Sequence, residues 1–243
     1  MKTKITVLLL IMWSVSMHSQ TKPAETKTTA TGQVETDVKI YNAALKYGDI
    51  DVAKNAVYAL IIKHPESFNY LDTLARLYFS NNNYVQCALT SKDYLTHDSA
   101  NLFIREMYAI SLSSLNKNKE SLEQYEALFA KTKSSFHAYQ IAVLQYVLKR
   151  FGECETTVGI ILNDPKSMEQ KVSINADQNT NQQVPIKAAA YNIRGVMLKE
   201  MNKKDEAMES FQEALKLFPE FALAKANIEA IKNGDKPKTT EKK

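Results

Sequence analysis

Apolar residues recur along most of this chain at three- and four-residue steps, in runs that end at Gly, Asn or Pro. Val38-Lys39-Ile40-Tyr41-Asn42-Ala43-Ala44-Leu45-Lys46-Tyr47 is the first such run, and Gly48-Asp49 closes it. A second helix is predicted from about Val52 to Lys63. It stops at His64-Pro65, because proline cannot continue an interior helical hydrogen-bond ladder. Helix, glycine turn, helix and proline make one hairpin. The pattern then repeats: Leu71, Leu74, Ala75 and Tyr78 precede a turn at Asn81-Asn82-Asn83, and Tyr84, Cys87, Ala88, Ser91 and Tyr94 line the return. A third hairpin carries Tyr108, Ala109 and Leu112, a turn at Asn116-Lys117-Asn118, then Ser121, Tyr125 and Leu128. A fourth carries Tyr139, Ala142, Val143 and Tyr146, and its turn at Arg150-Phe151-Gly152 reads as one residue shorter.

Tyr41, Ala75, Ala109 and Val143 follow one another at an interval of 34, and the next member in register, Gly195, comes 52 residues after Val143. A period of that size marks stacked helical hairpins, here with about 18 extra residues before the fifth. Two antiparallel helices pack closely where side chains are small, so Ala75 or Gly195 is expected to meet Cys87 or Ala207. Large residues such as Tyr78, Tyr125 and Phe211 then fill the space towards the next hairpin. Phe221, Leu223, Ala224, Ile228 and Ile231 form an amphipathic helix suited to closing the stack. Inside the insertion, about 166–187, Lys171-Val172-Ser173-Ile174-Asn175 alternates polar and apolar, and Gln183-Val184-Pro185-Ile186 does so too. A small β-hairpin near 168–186 is therefore predicted, against the alternative of a solvated loop.

The fifth hairpin carries a family resemblance. Tyr191, Gly195, Ala207, Phe211, Ala214 and Pro219 stand at the spacings of the tetratricopeptide repeat, with Arg194 where a leucine is usual and Leu198 where an aromatic is usual. The chain thus resembles tetratricopeptide-repeat proteins over about Asp37 to Phe221. The resemblance implies an all-α, right-handed superhelical solenoid of about five hairpins plus a C-terminal capping helix. It also implies a concave groove lined by the first helices, in which a protein or peptide binds. Carried over residue by residue, the groove positions are Asp72, Arg76, Phe79, Glu106, Ile110, Gln140, Leu144, Val147, Asn192 and Val196. The carboxylate clamp of the chaperone-binding members is not carried over, since only Asn42 stands at a matching site.

Composition changes this picture little. Hydrophobic residues at 44% and charged residues at 24% suit a folded chain, and six glycines with six prolines among 243 residues argue against many tight turns. The net charge of +4 sits at the ends, in Lys2 and Lys4 and in the Lys-rich tail from Asp235. The remainder is close to neutral, so nucleic acid is not an expected partner. Residues 1–19 have a basic start, an apolar run from Ile5 to Val15 and small residues at Ser16 and Ser19, the layout of a cleavable signal peptide. Cleavage is expected after Ser19, with Ser16 as the alternative, giving a periplasmic or secreted protein with no membrane span after cleavage. The predicted order is signal peptide 1–19, leader 20–36, repeat array 37–232 and basic tail 233–243.

No convergent acids, bases or nucleophiles point to catalysis, and no histidines or cysteines fall at metal-ligand spacing, so no catalytic residue, metal or cofactor is assigned. Cys87 and Cys154 occupy the same small-residue site in hairpins two apart, which argues for packing and against a disulfide. The expected function is an exported, non-enzymatic scaffold or adaptor. A structural, self-associating envelope component, that is a homo-oligomer, is the alternative, and an enzyme with its site on the insertion is a third.

Overall fold

A computed structural model describes residues 32–175 and 181–234. The predicted signal peptide 1–19, the predicted leader as far as residue 31, the tip of the insertion and the tail from Asp235 lie outside the described residues. The remainder divides into two compact units, one reaching Gln124 and one starting at Tyr125.

The N-terminal unit holds α1 (Gly32–Tyr47), α2 (Ile50–Lys63), α3 (Asn69–Ser80), α4 (Tyr84–His97), α5 (Leu102–Ser114) and the first half of α6 (Asn118–Thr132). Helix α1 starts at Gly32, so Gly32–Thr36, assigned above to the leader, are helical. Asp37 is buried there and receives a hydrogen bond from Lys63 Nζ on α2 at 2.6 Å. Side-chain caps begin α2 and α5: Asp49 accepts from the Val52 N–H and Asn101 from the Ile104 N–H. The core gathers Ala44, Val57, Leu74, Tyr78, Tyr94 and Ile104.

The C-terminal unit holds α7 (Ser135–Val147), α8 (Phe151–Asn163), a 3-10 turn (Pro165–Met168), β1 (Lys171–Asn175), β2 (Asn181–Pro185), α9 (Ile186–Glu200), α10 (Lys204–Leu217) and α11 (Ala222–Gly234). Strands β1 and β2 pair antiparallel with Val172 opposite Val184 and Lys171 opposite Pro185. The predicted hairpin is therefore present, its second strand two residues longer at the start and ending at Pro185. The sheet leaves Pro185 on an edge, where its missing N–H costs nothing.

One backbone device recurs at the end of every first helix. One or two residues past the helix end, the chain takes a left-handed conformation at Gly48, Asn82, Asn116, Lys149 and Asn202, with φ between 56° and 73°. The following N–H then reaches back to a carbonyl five residues earlier: Asp49 to Ala44, Asn83 to Tyr78, Lys117 to Leu112, Arg150 to Gln145 and Lys203 to Leu198, at 2.8–2.9 Å. Glycine and asparagine bear this conformation at least cost, which is why they mark the turns.

Counting back seven residues from each left-handed residue gives Tyr41, Ala75, Ala109, Ala142 and Gly195. Ala142, not Val143, is thus the equivalent position in the fourth hairpin. Twelve residues further on stand Ala53, Cys87, Ser121, Cys154 and Ala207, every one of them 0% exposed. Ser121 Oγ donates to the Ala109 carbonyl at 2.8 Å, and Cys154 Sγ to the Ala142 carbonyl at 3.4 Å, so the same crossing recurs. The fourth turn is not shortened. The missing residue lies between α6 and α7, where Lys133 in a left-handed conformation and the cap residue Ser134 are the whole connection. The interval is therefore 33 into the fourth hairpin and 53 into the fifth, a gain of 19 residues over the regular period.

In the fifth hairpin the crossing is close enough to require glycine. A Cβ at Gly195 would lie 2.5 Å from the Phe211 ring, so only glycine lets this phenylalanine sit in the crossing. Both cysteines are buried and free, and burial raises both thiol pKa values, that of Cys154 to about 12. They act as small packing residues.

Candidate functional site

The first helices of the N-terminal unit bring one chain of side chains together. Asp72 and Arg76 lie one turn apart on α3 and form a two-pronged ion pair. The same guanidinium lies over the Phe103 ring of α5, 4.1 Å from its centre. Tyr41 on α1 stands close enough to feel both charges. Burial raises its hydroxyl pKa, Arg76 works against that rise, and Asp72 adds to it. Phe79, three residues after Arg76 on α3, and Ile110, four after Glu106 on α5, are half-buried, and Phe79 meets Tyr84 edge-on at 6.3 Å. Glu106 is half-buried on α5.

Tyr41 and Phe103 were not among the residues assigned from sequence. Phe103 lies three residues before Glu106, hence on the same helical face, and is 40% exposed. Helical spacing alone would have suggested it.

The C-terminal unit treats its five assigned residues differently. Gln140 and Leu144 are buried, at 4% and 3% exposure. Leu144 stands two residues after Ala142, the place taken by Leu77, Ser111 and Met197 in their own hairpins, all of them buried. The one-residue shift of register turns the face by about 100°. It replaces Gln140, Leu144 and Val147 with Tyr139, Val143 and Tyr146 as equivalents of the α3 and α5 positions. Val147 is 39% exposed, but does not join them. Asn192 is buried too, and its side-chain carbonyl accepts from Asn227 Nδ2 of α11 at 3.0 Å. Val196 is half-buried on α9.

Around Tyr146 there is a second polar cluster. The Tyr146 hydroxyl and Lys149 Nζ both donate to the Glu200 carboxylate, while Lys149 lies over the Tyr146 and Phe151 rings. Burial would raise the Glu200 carboxyl, yet the lysine and the hydroxyl outweigh it and hold its pKa below the usual range. A cleft of about 350 Å³ runs along α9 and α10 beside Tyr191, Arg194, Leu198 and Glu209. Arg194 Nε, at the leucine position of the repeat, lies 2.9 Å from Glu155 of α8. The cleft's other acids are neutralised locally, Glu206 by Lys203 at 3.2 Å and Glu213 by Lys216 at 2.5 Å.

The three described histidines make structural contacts. His137 is buried with Nδ1 2.7 Å from Thr132 Oγ1, His97 stacks on Phe68, and His64 meets Glu66. Among the described residues no three His, Cys, Asp or Glu side chains are grouped to hold a metal ion. No described helix is long and apolar enough to cross a membrane.

Comparison with known proteins agrees with this geometry. Residues 188–221 match the family model of the tetratricopeptide repeat. No curated protein matches the sequence. A tetratricopeptide repeat protein from Parabacteroides merdae ATCC 43184 is 15% identical, with a TM-score of 0.61 over 83% of this chain and 73% of that one. YrrB, described as a TPR protein with an unusual peptide-binding site, is 12% identical, with a TM-score of 0.61 over 78% and 89% of the two chains. MamA is 14% identical, with a TM-score of 0.59 over 77% and 93%. At such identities the likeness is one of fold. The chain has the fold of tetratricopeptide-repeat proteins, and its fifth hairpin is a tetratricopeptide repeat in sequence as well as in structure.

Proposed function

We propose that this protein is a non-enzymatic adaptor that holds a peptide or helix of a partner protein along the first helices of its N-terminal unit. The observation that carries the reading is the cluster of Tyr41, Asp72, Arg76 and Phe103, which spans α1, α3 and α5. A guanidinium already oriented by a carboxylate and a ring loses little freedom when a partner meets it. With Phe79 one turn further along α3 and Ile110 two turns beyond Phe103 on α5, it pairs a polar centre with apolar anchors, the combination that suits an extended peptide or an amphipathic helix. The fold is one used for protein–protein interaction, which supports the choice of partner class.

The signal-like sequence of residues 1–19 supports an adaptor that works in the periplasm or outside the cell. Sequencing the amino terminus of the protein from its native host tests this, and a mature chain starting at Gln20 is expected. Binding is tested by comparing partners captured from envelope extract by the native protein and by Phe103→Asp with Ile110→Asp. Loss of a specific partner, with the helical circular-dichroism signal retained, is expected; an unchanged set of partners would sink the assignment.

A second reading, self-association, draws on the outer helices of the same unit. Ile62 is 77% exposed on α2, and Val85 and Leu89, one turn apart on α4, are 51% and 61% exposed. Light scattering across a concentration series separates the two, because a monomer at every concentration excludes self-association.

A further inference from the structure

In an array of helical hairpins each repeat touches only its neighbours, and the terminal element is the first to fray. The C-terminal unit carries bonds that break this rule, and they come from the insertion. Gln182 on β2 reaches the link between α10 and α11. Its Nε2 donates to the Glu220 carbonyl at 2.7 Å and its Oε1 accepts from the Ala222 N–H at 2.9 Å. Ala222 opens α11, so its N–H has no acceptor within the helix, and the amide side chain from another element caps it. The glutamine amide thus pairs with backbone as a strand neighbour would.

The other side of the insertion is tied as firmly. The Gln170 carbonyl accepts from the Ile186 N–H at 2.9 Å, and its side chain accepts from the Phe136 N–H at 3.2 Å, at the start of α7. Ser135 Oγ, in the same first turn, donates to Asp164 at the end of α8. Val172 and Val184, opposite each other in the sheet, are 4% and 0% exposed. They share one apolar cluster with Phe136 from the first turn of α7 and with Phe218 and Phe221 from the link between α10 and α11.

We infer that the insertion is a strap joining three successive inter-hairpin links, so that α7 to α11 open as one cooperative unit and α11 does not fray as a free end. Gln182 is its positioning residue. It holds α11 in the register of a further first helix, with Ala224, Ile228 and Ile231 where Ala190, Arg194 and Met197 stand on α9. The first-helix face of this unit then runs on through α11 by way of the Asn192–Asn227 bond.

Hydrogen exchange on the full protein, followed helix by helix, tests the strap. In the native chain α11 amides are expected to exchange within about tenfold of those in α9, since both need the same opening. Gln182→Ala is expected to speed α11 exchange by roughly 10- to 100-fold, the loss of two hydrogen bonds, and α9 exchange with it, because both need the opening in which those bonds break. Gln183→Ala, on the exposed neighbour, should change neither. The inference is overturned if native α11 exchanges like a frayed end, about a thousandfold faster than α9, or if Gln182→Ala leaves α11 as it was. Should that variant fail to fold, the native comparison alone decides.

Discussion

The two units use one hairpin plan with different regularity. In the N-terminal unit the links between hairpins, His64–Phe68 and Asp98–Asn101, are plain turns. In the C-terminal unit one link has shrunk to Lys133-Ser134 and another has grown to include a 3-10 turn and a two-stranded sheet. The turns inside the hairpins have kept their length in both, down to the same five-residue hydrogen bond. Close helix crossing therefore constrains the turn, while the link absorbs changes in length. The polar face of the regular unit stays half-open, whereas the corresponding positions of the irregular one are drawn into packing, as with Asn192.

The sharpest way to break this comparison is a charge at the disputed register. Leu144→Asp buries a carboxylate with no partner, and is expected to cost about 4 kcal/mol or more. Val147→Asp, on the exposed side, should cost about 0.5 kcal/mol or less. Urea unfolding followed by circular dichroism separates them; equal costs would restore Val143 as the column residue. Next in size is Gly195→Ala, whose methyl would press into the Phe211 ring. A loss of about 2 kcal/mol is expected, and Phe211→Leu in the same chain should recover part of it, a non-additivity visible in a double-mutant cycle.

These two positions also show what was legible beforehand. Ala75, Ala109 and Gly195, their partners Cys87 and Ala207, and the asparagine turns stood out because close crossing admits few side chains. The alternation of Lys171–Asn175 likewise announced a strand. The fourth hairpin was misread by one residue because Ala142 and Val143 are both small enough for the column. The lost residue lies at Lys133, moreover, where no glycine or asparagine marks the left-handed turn. Tyr41 and Phe103 were overlooked because their roles come from helices a whole repeat away, and the amide of Gln182 looked like any solvated glutamine.

Smaller effects sharpen the comparison of turns. Asn116→Gly relieves a left-handed asparagine in the regular unit, and is expected to raise stability by about 0.5 kcal/mol in thermal or urea unfolding. The smallest effect is one of acidity. The Ser135 hydroxyl first, and then the Lys166 backbone N–H, hold the Asp164 carboxyl pKa below its ordinary value. A carboxyl depressed in the folded state stabilises above its unfolded pKa of about 3.9, and that stabilisation fades as the pH falls through the folded value. Native protein should therefore exceed Ser135→Ala in urea midpoint near neutral pH, with the gap narrowing as the pH falls below the unfolded value of about 3.9. A gap independent of pH would assign the bond to packing alone.

The contrast between fixed turns and variable links has a practical side. A chain that has already taken in 19 residues before α9 and dropped one before α7 has shown where it can be cut and extended. A fluorescent reporter or an affinity epitope spliced between Asp98 and Asn101 should leave the hairpins stacked. The same splice at Asn82 or Asn116 would pry two helices apart at their closest approach.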